Sequence, residues 1–222
     1  MNKKNKNIDQ NKKALSMWNG WSKGRHGKPI YDLWLDDYSK DLEKFKESKF
    51  LDLGCGIGAD TQYLIERGYK VISVDYSKEA INNINLNIKG GEGKILDMNE
   101  KFTFDDNSFY LIIADISLHY FNEEKTKHIM NEIKRILKKN GILLARVSSI
   151  NDKYYGAGSG DEIEERFYDH GSYSQRYFNE DDLKKYFGII GKFSFVEKGM
   201  TRKEAYYSMP KMLYHVRVEC DK

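Results

Sequence analysis

Cysteine is scarce: Cys55 and Cys220 are the only two in 222 residues. That excludes a disulfide-stapled secreted scaffold. No zinc spacing such as CxxC or HExxH occurs, so no metal centre is expected. Proline is just as rare, with two residues in the chain, and no Pro-rich or Gly/Ser-rich linker divides it. The longest apolar run, FYLIIADISLHYF (109–121), is broken by Asp115 and is too short to cross a bilayer. The N-terminus has no apolar core of the signal-peptide kind, so a reducing cytoplasm is the expected location. What remains is a globular balance, 40% hydrophobic and 32% charged, in a length that suits one domain with appendages.

The formal net charge of +3 is unevenly placed. Residues 1–13 hold five lysines against one acid, a net +4, which leaves the remainder at −1. This polar tail has almost nothing to bury and is expected to be disordered. A solvated tail is the simpler reading, and docking to nucleic acid the sharper one.

From residue 14 the chain turns apolar and aromatic, with Trp18, Trp21, Tyr31, Trp34 and Tyr38. Ile30, Trp34, Tyr38, Leu42 and Phe45 recur at spacings of three and four, which predicts an amphipathic helix over 30–47 behind a glycine loop. Then strands and helices alternate. Strands are expected at 49–54, 69–75, 93–98, 109–115 and 141–149, and helices at 59–68, 77–91 and 122–141. Ser77 is placed as an N-cap. This alternation means βαβ units and a parallel sheet. Residues 150–177 lose all periodicity and carry five tyrosines. A helix capped by Asn179 and two further strands, 189–199 and 212–220, close the chain.

The strongest chemical signal is LDLGCGIGAD (51–60), a strand running into Gly54, Gly56 and Gly58 ahead of a helix. Glycines there let a backbone approach a ligand, and the helix start offers free N–H groups. Asp75 ends the second strand, where a carboxylate accepts from ribose hydroxyls. Asp97 and Met98 end the third, and Asp115 ends the fourth. Four polar strand ends describe a crevice along the carboxyl edge of a sheet. Gly54-x-Gly56-x-x-Ala59 also satisfies a dinucleotide fingerprint. Asp52, however, would face a cation rather than a pyrophosphate, and little chain is left for a second nucleotide half. A Tyr207…Lys211 pair of the dehydrogenase type contains Pro210.

Together LDLGCGIGADT, VISVDYS, KILDM, LIIADISLHYF and ILKKNGILLARVSS resemble the class I S-adenosylmethionine-dependent methyltransferases over about 48–149. The irregular segment resembles a small-molecule branch near the tellurite-resistance type. The resemblance implies a Rossmann-like α/β/α fold with a mostly parallel seven-stranded sheet, its last strand antiparallel, and S-adenosylmethionine as cofactor, S-adenosylhomocysteine as product. It assigns Asp52, Gly54, Cys55, Gly56 and Gly58 to the methionine and ribose. Asp75 takes the ribose hydroxyls, Tyr76 the adenine face, Asp97 and Met98 the adenine edge, and Asp115 the methionine ammonium. Asp115-Ile116-Ser117-Leu118 lacks the Pro-Pro motif of nucleobase-amine and amide methylases. A small acceptor is therefore expected, not nucleic acid or membrane, for a monomer or homodimer. An RNA or protein methylase, an NAD(P) oxidoreductase and a non-catalytic cofactor-binding module are the alternatives.

His119 and Tyr120 follow the fourth strand and are the catalytic candidates, His119 as a base. Residues 14–47 are expected to form a lid, with Arg25 and His26 in its loop. Residues 150–177 are expected to cover the acceptor, with Arg166, His170 and Arg176 as anion-binding candidates. Arg146, in an otherwise apolar strand, either reaches past the sheet end or pairs with an acid such as Glu197.

Overall fold

The computed structural model describes residues 13, 15–20, 22–24, 27, 29–200 and 208–222. Residues 1–12 of the expected basic tail, Trp21, Arg25, His26 and Tyr207 lie outside the described residues.

Seven strands form one sheet: β1 (Lys49–Leu53), β2 (Lys70–Asp75), β3 (Gly93–Ile95), β4 (Phe109–Asp115), β5 (Leu137–Ser148), β9 (Gly191–Gly199) and β10 (Met212–Cys220). Their order is β3-β2-β1-β4-β5-β10-β9. The first five are mutually parallel, and β10 lies antiparallel between β5 and β9. The sheet is buried on both faces, so its central strands are mostly apolar at successive rather than alternate positions. Alternation instead sorts residues between two cores. Leu51, Leu53, Ile112, Ala114, Leu143 and Ala145 face one, and Phe50, Leu111, Ile113, Ile142 and Leu144 face the other.

Helices cover both faces. They are α1 (Ser39–Lys44), α2 (Ala59–Glu66), α3 (Lys78–Asn87), α4 (Glu123–Ile136) and α5 (Glu180–Phe187). The first core packs under α4 and α5, through residues such as Ile129, Ile133 and Leu183. The second packs under α2 and the N-terminal segment, through Tyr63, Leu64, Trp34, Leu35 and Leu42. The caps follow side-chain chemistry: Ser77 Oγ accepts from Ala80 N, and Asn179 with Asp182 forms a reciprocal capping box.

Three expectations change. The helix foreseen over 30–47 is a 3-10 turn at Trp34–Tyr38 followed by the short α1, and Ile30, the first residue of the foreseen stripe, is 59% exposed. The helix foreseen to 141 stops at Ile136, and Leu137 to Asn140 begins β5, with Leu137 pairing Phe109. The irregular segment contains a three-stranded antiparallel sheet, β6 (Asp161–Glu164), β7 (Phe167–Asp169) and β8 (Ser174–Arg176). Its strands are three or four residues long and leave β6 exposed, so no apolar alternation announces them.

Candidate functional site

The three glycines after β1 do different work. Gly54 (φ +75°) lies so close to the loop after β4 that a Cβ would sit 2.4 Å from Ser117 Cβ. Gly58 (φ +97°) lets α2 approach α3, since a Cβ there would stand 2.3 Å from Ile84 Cδ1. Gly56 (φ +51°) alone faces open space, with no heavy atom within 4 Å of a Cβ position. Its N–H donates to Asp75 Oδ2 at 2.9 Å, and Asp75 Oδ1 accepts from Ser77 N at 2.8 Å. Asp75 thus joins the glycine loop to the α3 start. Burial raises its pKa. Cys55 holds Val74 O through its N–H, and burial pushes its thiol well up, so it is protonated and unreactive at neutral pH.

Tyr76 is 37% exposed beside Asp75, as an adenine-stacking ring would be. β3 ends two residues before Asp97, whose Oδ1 accepts from both the N–H and the side-chain amide of Asn99. Met98 is half-buried against the core under the loop. Asp52 is fully buried and accepts from Thr61 Oγ1 at 2.7 Å. Burial first, then repulsion from Asp115 and Asp75, pushes its pKa up to about 7. An anionic trio that resists ionisation in one of its members is a site that favours a cation.

At the end of β4, Asp115 receives Arg146 in bidentate fashion, Nε at 2.6 Å and Nη2 at 2.9 Å. The other edge of the guanidinium grips Asp32, at 2.8 and 3.2 Å. Arg146 is fully buried and lies 4.7 Å from the Trp34 ring. Its partners are therefore Asp115 and Asp32, not Glu197, which accepts from Ser149 and Asn151. Asp115 spends its carboxylate on Arg146. An ammonium nearby would meet its backbone.

His119 is fully buried in the 3-10 turn Leu118–Tyr120. Its Nδ1 accepts from Ser148 N at 3.3 Å, which fixes the proton on Nε2. Burial, aided by the Lys211 charge, lowers its pKa well below the usual range. A ring whose lone pair is already used can donate from Nε2 but not take a proton, so the expected base is a hydrogen-bond donor. Tyr120 meets Trp18 edge-on at 4.8 Å and Tyr173 at 6.1 Å. Rings from the N-terminal segment, the β4 turn and the irregular segment therefore converge beside His119.

Of the three anion-binding candidates, only His170 stays available. Arg166 clamps Asp182 at 2.6 and 2.9 Å, locking the meander to the capping box of α5. Arg176 is 2% exposed, bonds Glu165 O and Glu164, and lies over the Phe167 and Tyr186 rings. Both are structural. His170 is half-buried next to Tyr173 and Tyr177, and burial lowers its pKa.

The N-terminal segment is stitched to every part of this edge. Asn19 accepts from Ser77 Oγ after β2. Gly27 exchanges two hydrogen bonds with Asn83, which also donates to Ile57 O in the glycine loop. Trp34 Nε1 donates to Asp60 in the first turn of α2. Sequence reasoning missed these ties because they join positions up to 58 residues apart.

A doubly wound α/β sheet with a glycine loop and carboxylates along its carboxyl edge defines a nucleoside-cofactor domain. Residues 51–145 match the family model described as a methyltransferase domain. The chain is 30% identical over 94 residues to an uncharacterised methyltransferase of Synechocystis sp., covering 42% of this chain and 44% of that protein. It is 32% identical over 108 residues to the phosphoethanolamine N-methyltransferase of Plasmodium falciparum, covering 47% and 40%. The chain thus spans less than half the length of these curated relatives. Its fold is similar to that of a SAM-dependent methyltransferase from Methanosarcina mazei, with a TM-score of 0.63 at 19% identity, over 81% of this chain and 96% of that one. S-adenosylmethionine, the cofactor of the methyltransferases that the sequence resembles, fits the residues present: the open face of Gly56 and the Asp75 carboxylate suit a ribose, and the buried Asp52 beside them suits the ammonium of a methionine whose net charge is positive. No helix among the described residues is long and apolar enough to cross a membrane.

Proposed function

We propose that this protein transfers the methyl group of S-adenosylmethionine to a small-molecule acceptor, releasing S-adenosylhomocysteine. The observation that carries the reading is the Gly56–Asp75 hydrogen bond beside the buried Asp52 and the half-buried Asp115. It presents a ribose acceptor and a cation site on one sheet edge. When bound, the cofactor supplies an electrophilic methyl on a sulfonium, so the hard chemistry is its own.

The chain's residues have the simpler tasks of binding, orienting and excluding water. Asp75 and the glycine loop take the ribose, Tyr76 the adenine face, and Met98 with Asp97 its edge. Asp52 and the backbone at Asp115 face the methionine end. Residues 14–47 act as the lid and 150–177 as the acceptor cover, so Trp18, Tyr120 and Tyr173 form the wall that keeps water from the methyl path. His119, buried and accepting from Ser148 N, holds the turn that carries Tyr120, and the walls together keep the nucleophile in line, about 3 Å from the methyl carbon. A neutral His170 is the group available for a leaving proton. The named P. falciparum relative acts on a small amine, which supports the small-acceptor reading over RNA or protein.

The test is S-adenosylhomocysteine release in the presence of a panel of small amines, thiols and carboxylates, with total RNA as a separate arm. Turnover with a small molecule is the expected result. Turnover with RNA alone, lost in high salt, would replace the small acceptor with the nucleic-acid alternative.

A further inference from the structure

Ile116 follows Asp115 with φ +52°, a left-handed conformation that a β-branched side chain rarely takes. Such strain persists only where neighbours over-determine it. Arg146 supplies that constraint twice. Its carbonyl accepts from Ile116 N at 3.0 Å, and its guanidinium holds both oxygens of Asp115. One residue of β5 thus grips the strained turn through main chain and side chain. Next along this turn, Ser117 Oγ bonds Leu53 O beside Gly54, so the turn's geometry passes directly to the glycine loop.

The same guanidinium is completed by Asp32, which is 5% exposed and comes from the N-terminal segment. A fully buried arginine facing one carboxylate alone would carry an uncompensated share of its desolvation cost. The clamp is therefore whole only when the N-terminal segment is docked.

We propose that Arg146 is a positioning residue for cofactor binding, and that Asp32 makes docking of the N-terminal segment and binding of the cofactor a single coupled event. The inference rests on the proposed function, since it concerns the same sheet edge. Reciprocity follows from linkage: if docking strengthens cofactor binding, cofactor must protect the docked segment by the same factor.

The test uses the full chain with S-adenosylhomocysteine as the probe, read by calorimetric titration, ligand-free melting and hydrogen exchange. Asp32→Asn keeps the side-chain volume and leaves Asp115 on Arg146. The expected result is a dissociation constant raised about tenfold or more, in the range for truncating one partner of a buried charged pair. Backbone amides of 30–38 gain protection on adding the probe to the wild type, and lose that gain in the variant. Asp32→Glu restores part of the affinity. A second variant, Ile116→Gly, removes the strain, and in its background Asp32→Asn costs less affinity than in the wild type. An Asp32→Asn protein that melts lower but binds the probe as tightly as wild type would make the bridge merely structural and overturn the inference. Unchanged exchange at 30–38 with tight binding would overturn it equally, and that readout needs no variant to fold. A wild-type protein that does not bind S-adenosylhomocysteine at all overturns the proposed function instead.

Discussion

Asp52 makes the sharpest residue-scale test. Its carboxyl is raised to about 7 by burial and by the neighbouring carboxylates, so near neutrality it is only partly ionised. A bound ammonium favours the charged form and drives a proton off. Affinity for S-adenosylhomocysteine should therefore rise as pH increases through about 7 and level off above it, with a proton released on binding. Titrations at about pH 6 and about pH 8 measure this, and Asp52→Asn should flatten the slope. In the ligand-free protein the sign reverses. A carboxyl raised on folding contributes stability that is lost as pH climbs toward 7. Asp75→Ala deprives the Gly56 and Ser77 N–H groups of their acceptor and should abolish measurable cofactor binding, a loss of about a hundredfold or more if both ribose bonds fail.

This much of the site was legible from strand ends alone, because a glycine turn and an Asp at a strand terminus are local signals. Arg146 was not. It stood out as a charge in an apolar strand, but its partners come from β4 and from 114 residues upstream, and only the fold brings them together. Arg166 and Arg176 misled for the opposite reason. Arginines in an irregular segment look available, and nothing local says that Asp182 and Glu164 occupy them.

At the scale of elements, the glycine loop and the α5 capping box carry the predictions. Gly58→Ala forces a left-handed residue into Ile84 and Ile88, and should destabilise by about 1–3 kcal/mol with little change in the far half of the sheet. Denaturant unfolding checks it, and a compensating Ile84→Val should recover part of the loss by yielding the space. Asn179→Ala removes half of the capping box and should cost about 1 kcal/mol while leaving cofactor affinity intact. Arg166→Met should behave likewise, a lower melting point and unchanged binding, because its charge serves α5 rather than a ligand.

Element boundaries were read well wherever burial and periodicity agreed. β4 and β10 match their expected limits, β4 as an apolar run and β10 as an alternation of apolar and polar residues. The β6–β7–β8 meander was invisible because Phe167 is the one fully buried residue in β6 and β7. The lengthening of β5 into LKKN escaped notice because lysines and asparagine before a glycine look like a helix end, whereas here they extend a strand past the core.

The molecule as a whole divides its work between two cores and one edge. Both faces of the sheet are packed, which leaves the carboxyl ends as the place where polar groups converge without breaking the core. The N-terminal segment packs on one core through Trp34 and Leu35, yet its polar residues run along that edge. This placement is compatible with the lid expected of residues 14–47. The carboxylate trio explains why the edge suits a cationic cofactor better than a pyrophosphate, and why Gly54-x-Gly56-x-x-Ala59 is not a dehydrogenase fingerprint here.

The most direct measurement of this account is a parallel thermal-shift titration with S-adenosylmethionine, S-adenosylhomocysteine, NAD⁺ and NADP⁺, on the wild type and Asp75→Ala. A ligand at a hundred times its dissociation constant stabilises by about 2.7 kcal/mol, a shift of several degrees for a chain of this size. The account predicts that the two sulfur compounds alone raise the melting temperature and that Asp75→Ala removes the effect. Stabilisation by a nicotinamide nucleotide, or an Asp75→Ala response equal to wild type, would contradict the site described above.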